Sequence, residues 1–303
     1  MAVSKNRREN KKKPPAARRK AAPLPDRRAL EAMLAKLSGE PFDHGDGEAT
    51  DPLGRAQDLM YDAWELTDKR ARIALARKAL EISDRCADAY VLLALETARD
   101  IVEERLLCGQ GVAAGERAVG PEAFERDVGR FWGILDTRPY MRARHALALV
   151  LWRLGERDAA IAHLRDMLRL NPNDNQGVRH VLVGWLLTVD DLDGVEALLA
   201  VYGDDGFAES AWARVLLAFR RDGASAAART VLASAREANP FVAGLLTGAI
   251  RIPKRIPDHY SFGSVDEAAA YVRANGETWS ATRGALQWLA EASRNHVPAG
   301  KRR

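Results

Sequence analysis

Slid against itself by 68 residues, the chain meets its own pattern. Leu147 falls on Val215, Leu151 on Phe219, Gly155 on Gly223, Ala160 on Ala228, Leu164 on Leu232 and Pro172 on Pro240. Self-similarity at a fixed spacing means that one supersecondary unit is used repeatedly, and such a unit buries its apolar face only by stacking on its neighbours. From Pro52 onward the apolar residues recur with helical periodicity, and β-branched runs of period two are absent, so the units are helical and the protein is all-α.

The offset is twice 34, the length of the tetratricopeptide repeat, a helix-turn-helix unit with a late proline. Counting back from each proline as position 32 places one repeat at 141–174 and another at 209–242, with a weaker copy at 175–206 filling the period between them. Ala148 with Ala160, and Leu216 with Ala228, stand at positions 8 and 20, where small side chains let the two helices of a unit approach; Leu216 is the larger exception and loosens the expected crossing of its unit. Upstream, "ADAYVLLALETA" at 87–98 reproduces a first helix, with Tyr90, Leu93 and Ala94 at positions 4, 7 and 8, and another pair precedes it at 53–86. The distance from Ala94 to Ala148 is 148 − 94 = 54 residues, one period plus 20, so "GPEAFERDVGRFWGIL" is an insertion. Its Phe124, Val128, Phe131, Trp132 and Leu135 predict an extra amphipathic helix. Residues 52–246 are therefore expected to form a solenoid of four to five helix pairs. Residues 247–296 supply two capping helices, near Val265–Ala274 and Thr282–Ala292.

The stretch "MLRLNPNDNQGVR" at 167–179 is punctuation in this frame. Leu168 and Leu170 close a second helix, Pro172 stops it, and Asp174 or Asn175 is placed to accept the first amides of the next helix.

Charge divides the chain unevenly. Residues 1–28 hold eleven Lys and Arg against Glu9 and Asp26, 11 − 2 = +9; with Lys301, Arg302 and Arg303 also set aside, the body has 46 − 14 = 32 basic and 42 − 2 = 40 acidic residues, or −8. Residues 1–26 lack the apolar content to order themselves and read as a disordered basic arm; 297–303 is a basic tail. Between arm and repeats, 27–51 reads as a short helix on Leu30, Met33, Leu34 and Leu37, then an acidic Gly-rich loop without calcium-loop spacing. Two cysteines, Cys86 and Cys108, form neither a CxxC nor a disulfide framework, which suits a reducing cytoplasm. The arm is not followed by the apolar core of a secretory signal, and no apolar run reaches the roughly 20 residues of a membrane span.

The wider string from "RPYMRAR" at 138–144 through "LWRLGERDAAIAHLRDMLRLNPNDNQGVR", with "YSFGSVDEAAAYV" at 260–272 and "GALQWL" at 284–289, resembles a group of bacterial tetratricopeptide proteins related to the suppressor-of-tumorigenicity-seven family. The group's tail carries Pro-Gly-Ser where this chain has Phe262, Gly263 and Ser264. The resemblance spans about 135–290 and implies a helical-repeat fold, without an activity or catalytic residues.

The residues themselves point to binding rather than catalysis. The six histidines form no metal-type pair, and the chain holds no GxSxG, Walker or dinucleotide motif, so no enzyme, metal or cofactor is expected. Stacked pairs present a groove lined by positions 2, 5, 9, 12 and 13 of each first helix. That rule selects Arg142, His145, Leu149, Trp152 and Arg153, then Gln176, Arg179, Val183 and Leu186, then Ser210, Ala213, Leu217, Arg220 and Arg221. With Asn175 beside them, these predict a basic groove suited to an acidic peptide or protein partner. The asparagine of a chaperone-tail clamp is missing, its places being taken by Leu149 and Ala146, then Val183 and His180. The alternative is a nucleic-acid or ribosome-associated factor that uses Lys11, Lys12, Lys13, Arg18, Arg19 and Lys20.

Overall fold

The computed structural model describes residues 51–294, apart from 204 and 258. The basic arm, the 27–51 helix and loop up to residue 50, and the basic tail lie outside the described residues.

Among the described residues every regular element is helical. Five antiparallel pairs follow one another: α1 (Pro52–Glu65) with α2 (Lys69–Ile82), α3 (Ala87–Thr97) with α4 (Ile101–Val119), α6 (Arg138–Arg153) with α7 (Arg157–Leu170), α8 (Val178–Thr188) with α9 (Leu192–Tyr202), and α10 (Ala208–Asp222) with α11 (Ala226–Ala238). The second helix of each pair packs on the first helix of the next, and the pairs build a solenoid-like stack. Local signals set the starts. Asp51, Asp68, Asp100, Asp191 and Ser225 each accept amides of the turn that follows, and Pro52 occupies the first turn of α1, where its missing N–H costs nothing. Asp174 rather than Asn175 caps α8: its two carboxylate oxygens accept the Val178 and Arg179 amides at 2.8 and 3.1 Å.

Helix approach depends on small residues. Ala148 and Ala160 are wholly buried where α6 meets α7; in the fifth pair the small Ala228 is buried too, with the larger Leu216 in place of a second small residue. Gly111 and Gly115 face α3 and α6 from one side of α4; a Cβ added to Gly115 would lie 2.9 Å from Tyr140 Cα.

The insertion is not the amphipathic helix that its apolar spacing predicts. It holds a single turn, α5 (Ala123–Arg126), then bends, then a 3-10 turn at Leu135–Thr137. Gly120 and Gly129 adopt φ of 78° and 90°, which helix cannot accommodate. The Gly129 and Phe131 amides instead donate to Leu170 O at 3.1 Å. Phe124, Phe131 and Tyr140 meet with centroids 5.2 to 6.2 Å apart, so the insertion is a plug over α4, α6 and the end of α7.

After α11 the stack stops repeating. A short α12 (Val242–Leu246) leads through an irregular connection to α13 (Val265–Ala281), which runs seven residues past its expected end, and α14 (Ala285–Arg294), which starts three residues later than expected. α13 turns back across the first helices of the fourth and fifth pairs, α8 and α10. Trp279 meets Trp212 edge-on at 6.2 Å, and both rings are fully buried. Thr278 Oγ1 lies 2.9 Å from Thr188 Oγ1, and Asn275 presses on the bare backbone of Gly184.

Two glycines of α4 separate packing from propensity. Gly115→Ala is expected to cost about 1–3 kcal/mol because Tyr140 backbone blocks the new methyl. Gly109→Ala, with nothing within 4 Å, should instead gain up to about 1 kcal/mol. Chemical-denaturation midpoints moving in opposite directions check the pair.

Candidate functional site

The arginines that the register assigns to the groove are present on the expected helices, but each is already engaged. Arg142 donates through Nε and Nη2 to Asp88, the first bond at 2.8 Å, while Gln57 donates to the same carboxylate and Trp64 lies 5.2 Å beneath the guanidinium. Asp88 is fully buried in the first turn of α3, so this pair joins α1, α3 and α6. Arg153 donates to both oxygens of Glu104 at 2.8 Å. Arg179 bridges Asp174 at 2.9 Å and Asp205 at 3.1 Å. Arg220 lies under α13, donating to Thr282 Oγ1 at 2.8 Å and to Asp190 at 3.0 Å, so it lines no open groove. An acidic peptide would have to displace these internal carboxylates.

His145 is held neutral by burial, which lowers its basicity, and its Nε2 has no partner. Trp152 stacks on Trp185 at 4.3 Å with rings 2° from parallel, and Arg157 covers it at 4.0 Å. Gln176 buries an unpartnered Oε1, whereas Asn175 is exposed. The sequence thus gathers these residues along successive first helices, but not into one basic trough.

A second cluster, at the N-terminal ends of α8, α10 and α13, escaped the sequence reading. The buried carboxylate of Glu267 accepts from Gly263 N at 2.7 Å, Ala208 N at 3.1 Å and Asn239 Nδ2 at 2.9 Å. The signal was available: Ser264-x-x-Glu267 is a capping-box pattern, and Ser264 does accept the Glu267 amide at 3.1 Å. The glutamate reaches beyond its own helix and ties α10 and the end of α11 to α13. Ser210 donates to Asp205 at 3.1 Å, and His180 stands 3.8 Å from that carboxylate. The serine proton is therefore directed to a carboxylate and not to an imidazole, so this triplet does not form a nucleophile and its base. No group of three or more metal-ligating side chains converges among the described residues.

Burial pushes the Glu209 carboxyl up to about 7, with Glu267 and Asp205 adding to the effect, and its Oε2 has no partner. Burial also lowers His180, reinforced by Arg179.

Fold and site together define an all-helical stack of helix pairs whose polar interior joins helices to one another. The chain belongs to the ST7 protein family, whose model matches residues 47–298. It is 29% identical over 270 residues to suppressor of tumorigenicity 7 protein-like of Gallus gallus, covering 79% of this chain and 47% of that protein. The Homo sapiens protein of that description is 30% identical over 270 residues, with coverage of 79% and 45%. Suppressor of tumorigenicity 7 protein of Rattus norvegicus is 27% identical over 286 residues, with coverage of 79% and 49%. The chain spans about half the length of these relatives. Among the described residues, no helix is long and apolar enough to cross a membrane.

Glu209 makes stability depend on pH with a definite sign. Its ordinary value is 4.5 and its folded value about 7, so between these the folded chain holds a proton that the unfolded chain has released. The stability present below 4.5 is lost as pH rises through 7. Buried His145, His163 and His180, lowered from 6.5, act oppositely, losing stability as pH falls, but they are common to wild type and variant. Glu209→Gln is therefore expected to gain roughly 1–3 kcal/mol relative to wild type between pH 5 and pH 8. Paired denaturation curves across that range measure it.

Proposed function

We propose that this chain is a non-enzymatic scaffold that docks a protein partner on the first-helix face of its second and third helix pairs. One observation carries the reading. Leu95 and Leu149 occupy position 9 of successive first helices and stand 73% and 39% exposed. Val183, at the same position of the fourth pair, is buried where α13 crosses. One face is thus covered at its C-terminal end by a helix of the chain itself and left apolar farther up. The tetratricopeptide register supports the choice of face, since that repeat presents its first helices to ligands.

The partner chemistry follows from what is engaged. With Arg142, Arg153 and Arg179 satisfied internally, recognition rests on apolar side chains, and an amphipathic helix, the form that α13 takes, suits the face better than an acidic peptide. Cys86 and Cys108 are buried free thiols, which favours a reducing, cytoplasmic setting.

Leu95→Glu/Leu149→Glu is expected to abolish partner retention in affinity capture while leaving the thermal transition unchanged, because both side chains already face solvent. Undiminished retention would refute the assignment. Arg142→Glu does not serve as a binding test: opposing Asp88 with a second carboxylate should destabilise the fold by about 3–5 kcal/mol.

A further inference from the structure

The connection between α12 and α13 reads "TGAIRIPKRIPDHYSFGS" over 247–264, and its solvent-facing composition differs from that of the acidic body. Its inner anchors are fixed. The Ile250 amide donates to Gly244 O at 2.9 Å, and its side chain lies so close to Gly244 that an added Cβ would meet Cδ1 at 2.6 Å. Ile256 packs on the main core, and Pro253 and Pro257 restrict the backbone between and beyond these anchors. At the far end Gly263 is tied to Glu267, and Phe262 sits edge-on against Phe207 at 4.6 Å.

With Ile250 and Ile256 turned inward, Arg251, Ile252, Lys254 and Arg255 are displayed outward. The three cations form no ion pair or side-chain hydrogen bond with the described residues, in contrast to Arg142, Arg153, Arg179 and Arg220. Exposed apolar groups stand beside them in the same connection: Ile252 is 42% exposed, Tyr260 41% and Phe262 66%. The segment has one carboxylate of its own, Asp258.

We propose that this connection docks the protein on an anionic lipid surface, with Arg251, Lys254 and Arg255 against the headgroups and Ile252, Tyr260 and Phe262 entering the interface. Cations draw the loop to negative lipid, and aromatic and aliphatic side chains gain by leaving water at headgroup depth. A nucleic acid would use the cations and could stack on the rings, but it offers nothing to Ile252. An acidic peptide would leave the three apolar tips in water. The lipid interface is the partner that satisfies both kinds of side chain.

The test must separate this loop from the basic arm, whose charge alone would draw it to the same surface. Ser261 is exposed, and Ser261→Cys places a thiol within the loop without removing a proposed contact. Cys86 and Cys108 are buried and burial pushes both thiols up to about 12, so an environment-sensitive fluorophore attaches at the introduced position alone. With full chain and vesicles of phosphatidylserine in phosphatidylcholine, the emission is expected to shift to the blue, and to stay unshifted on phosphatidylcholine alone. Replacing Lys11, Lys12, Lys13, Arg18, Arg19 and Lys20 by Gln should preserve the shift. Arg251→Gln/Lys254→Gln/Arg255→Gln should raise the lipid concentration required by on the order of a hundredfold, about fivefold per charge. Ile252→Ser/Phe262→Ser should retain salt-sensitive association but lose the shift. Sedimentation with anionic vesicles without any shift would assign binding to the arm and overturn the proposal. So would a shift produced by single-stranded RNA and not by vesicles, or one unchanged in the triple Gln variant.

Discussion

The close approach of helix to helix at residues without bulk is the constraint from which the rest of the molecule follows. Ala148 against Ala160, and Gly111 and Gly115 between α3 and α6, bring backbones near enough for large side chains to fill the spaces on either side. Each pair of helices leaves one apolar face open, and only another pair closes it. The spacing that produces contact inside a unit therefore also fixes which residues point to the common face, and a shift of one position would turn Leu95 and Leu149 inward and Ala94 and Ala148 outward. The face on which the proposed function rests is a consequence of packing inside the stack.

Charge is used within the same geometry. The body carries an acidic excess, yet its arginines sit on the first helices where the register would have them serve a ligand. Asp88, Glu104 and Asp205 come from other elements and engage these arginines internally, while Asp174 holds Arg179 from the start of its own helix. The buried Arg142–Asp88 pair contributes little net stability over an apolar pair but penalises any arrangement that leaves one partner alone. The Asp88 bridge, reaching α1, α3 and α6, fixes the relative placement of three helices with a single carboxylate.

Periodicity made the helix pairs legible, and Pro172, Asp174 and Pro240 made their ends legible, because those effects act over a few neighbouring residues. The insertion was misread because Phe124, Val128 and Phe131 have helical spacing while Gly120 and Gly129 adopt positive φ, and because the Leu170 carbonyl that binds its amides is about forty residues away. The register places the arginines expected in the groove on first helices, and the structure engages each of them with the chain's own carboxylates. Positions 142, 153, 179 and 220 can be read from the register, whereas Asp88, Glu104, Asp205 and Asp190, which engage them, come from other elements. Glu267 lay between these cases. Its capping pattern with Ser264 was local and readable, and its reach to Ala208 and Asn239 was not.

The end of the stack shows why the repeat signal has to fail where it does. A sixth pair would leave another apolar face exposed, so the chain must close the series with something that is not a repeat. Here α13 lies across α8 and α10, burying Trp279 against Trp212 and placing Glu267 at the start of α10. To reach that position the chain has to leave the stacking direction after α11, and the residues that carry it out cannot be helical throughout. Pro253 and Pro257 keep that connection out of helix, Ile250 and Ile256 hold it to the core, and Arg251, Ile252, Lys254 and Arg255 between them are left facing outward. The same closure that covers the lower part of the first-helix face thus creates a connection in which cations without a partner among the described residues stand beside exposed apolar side chains.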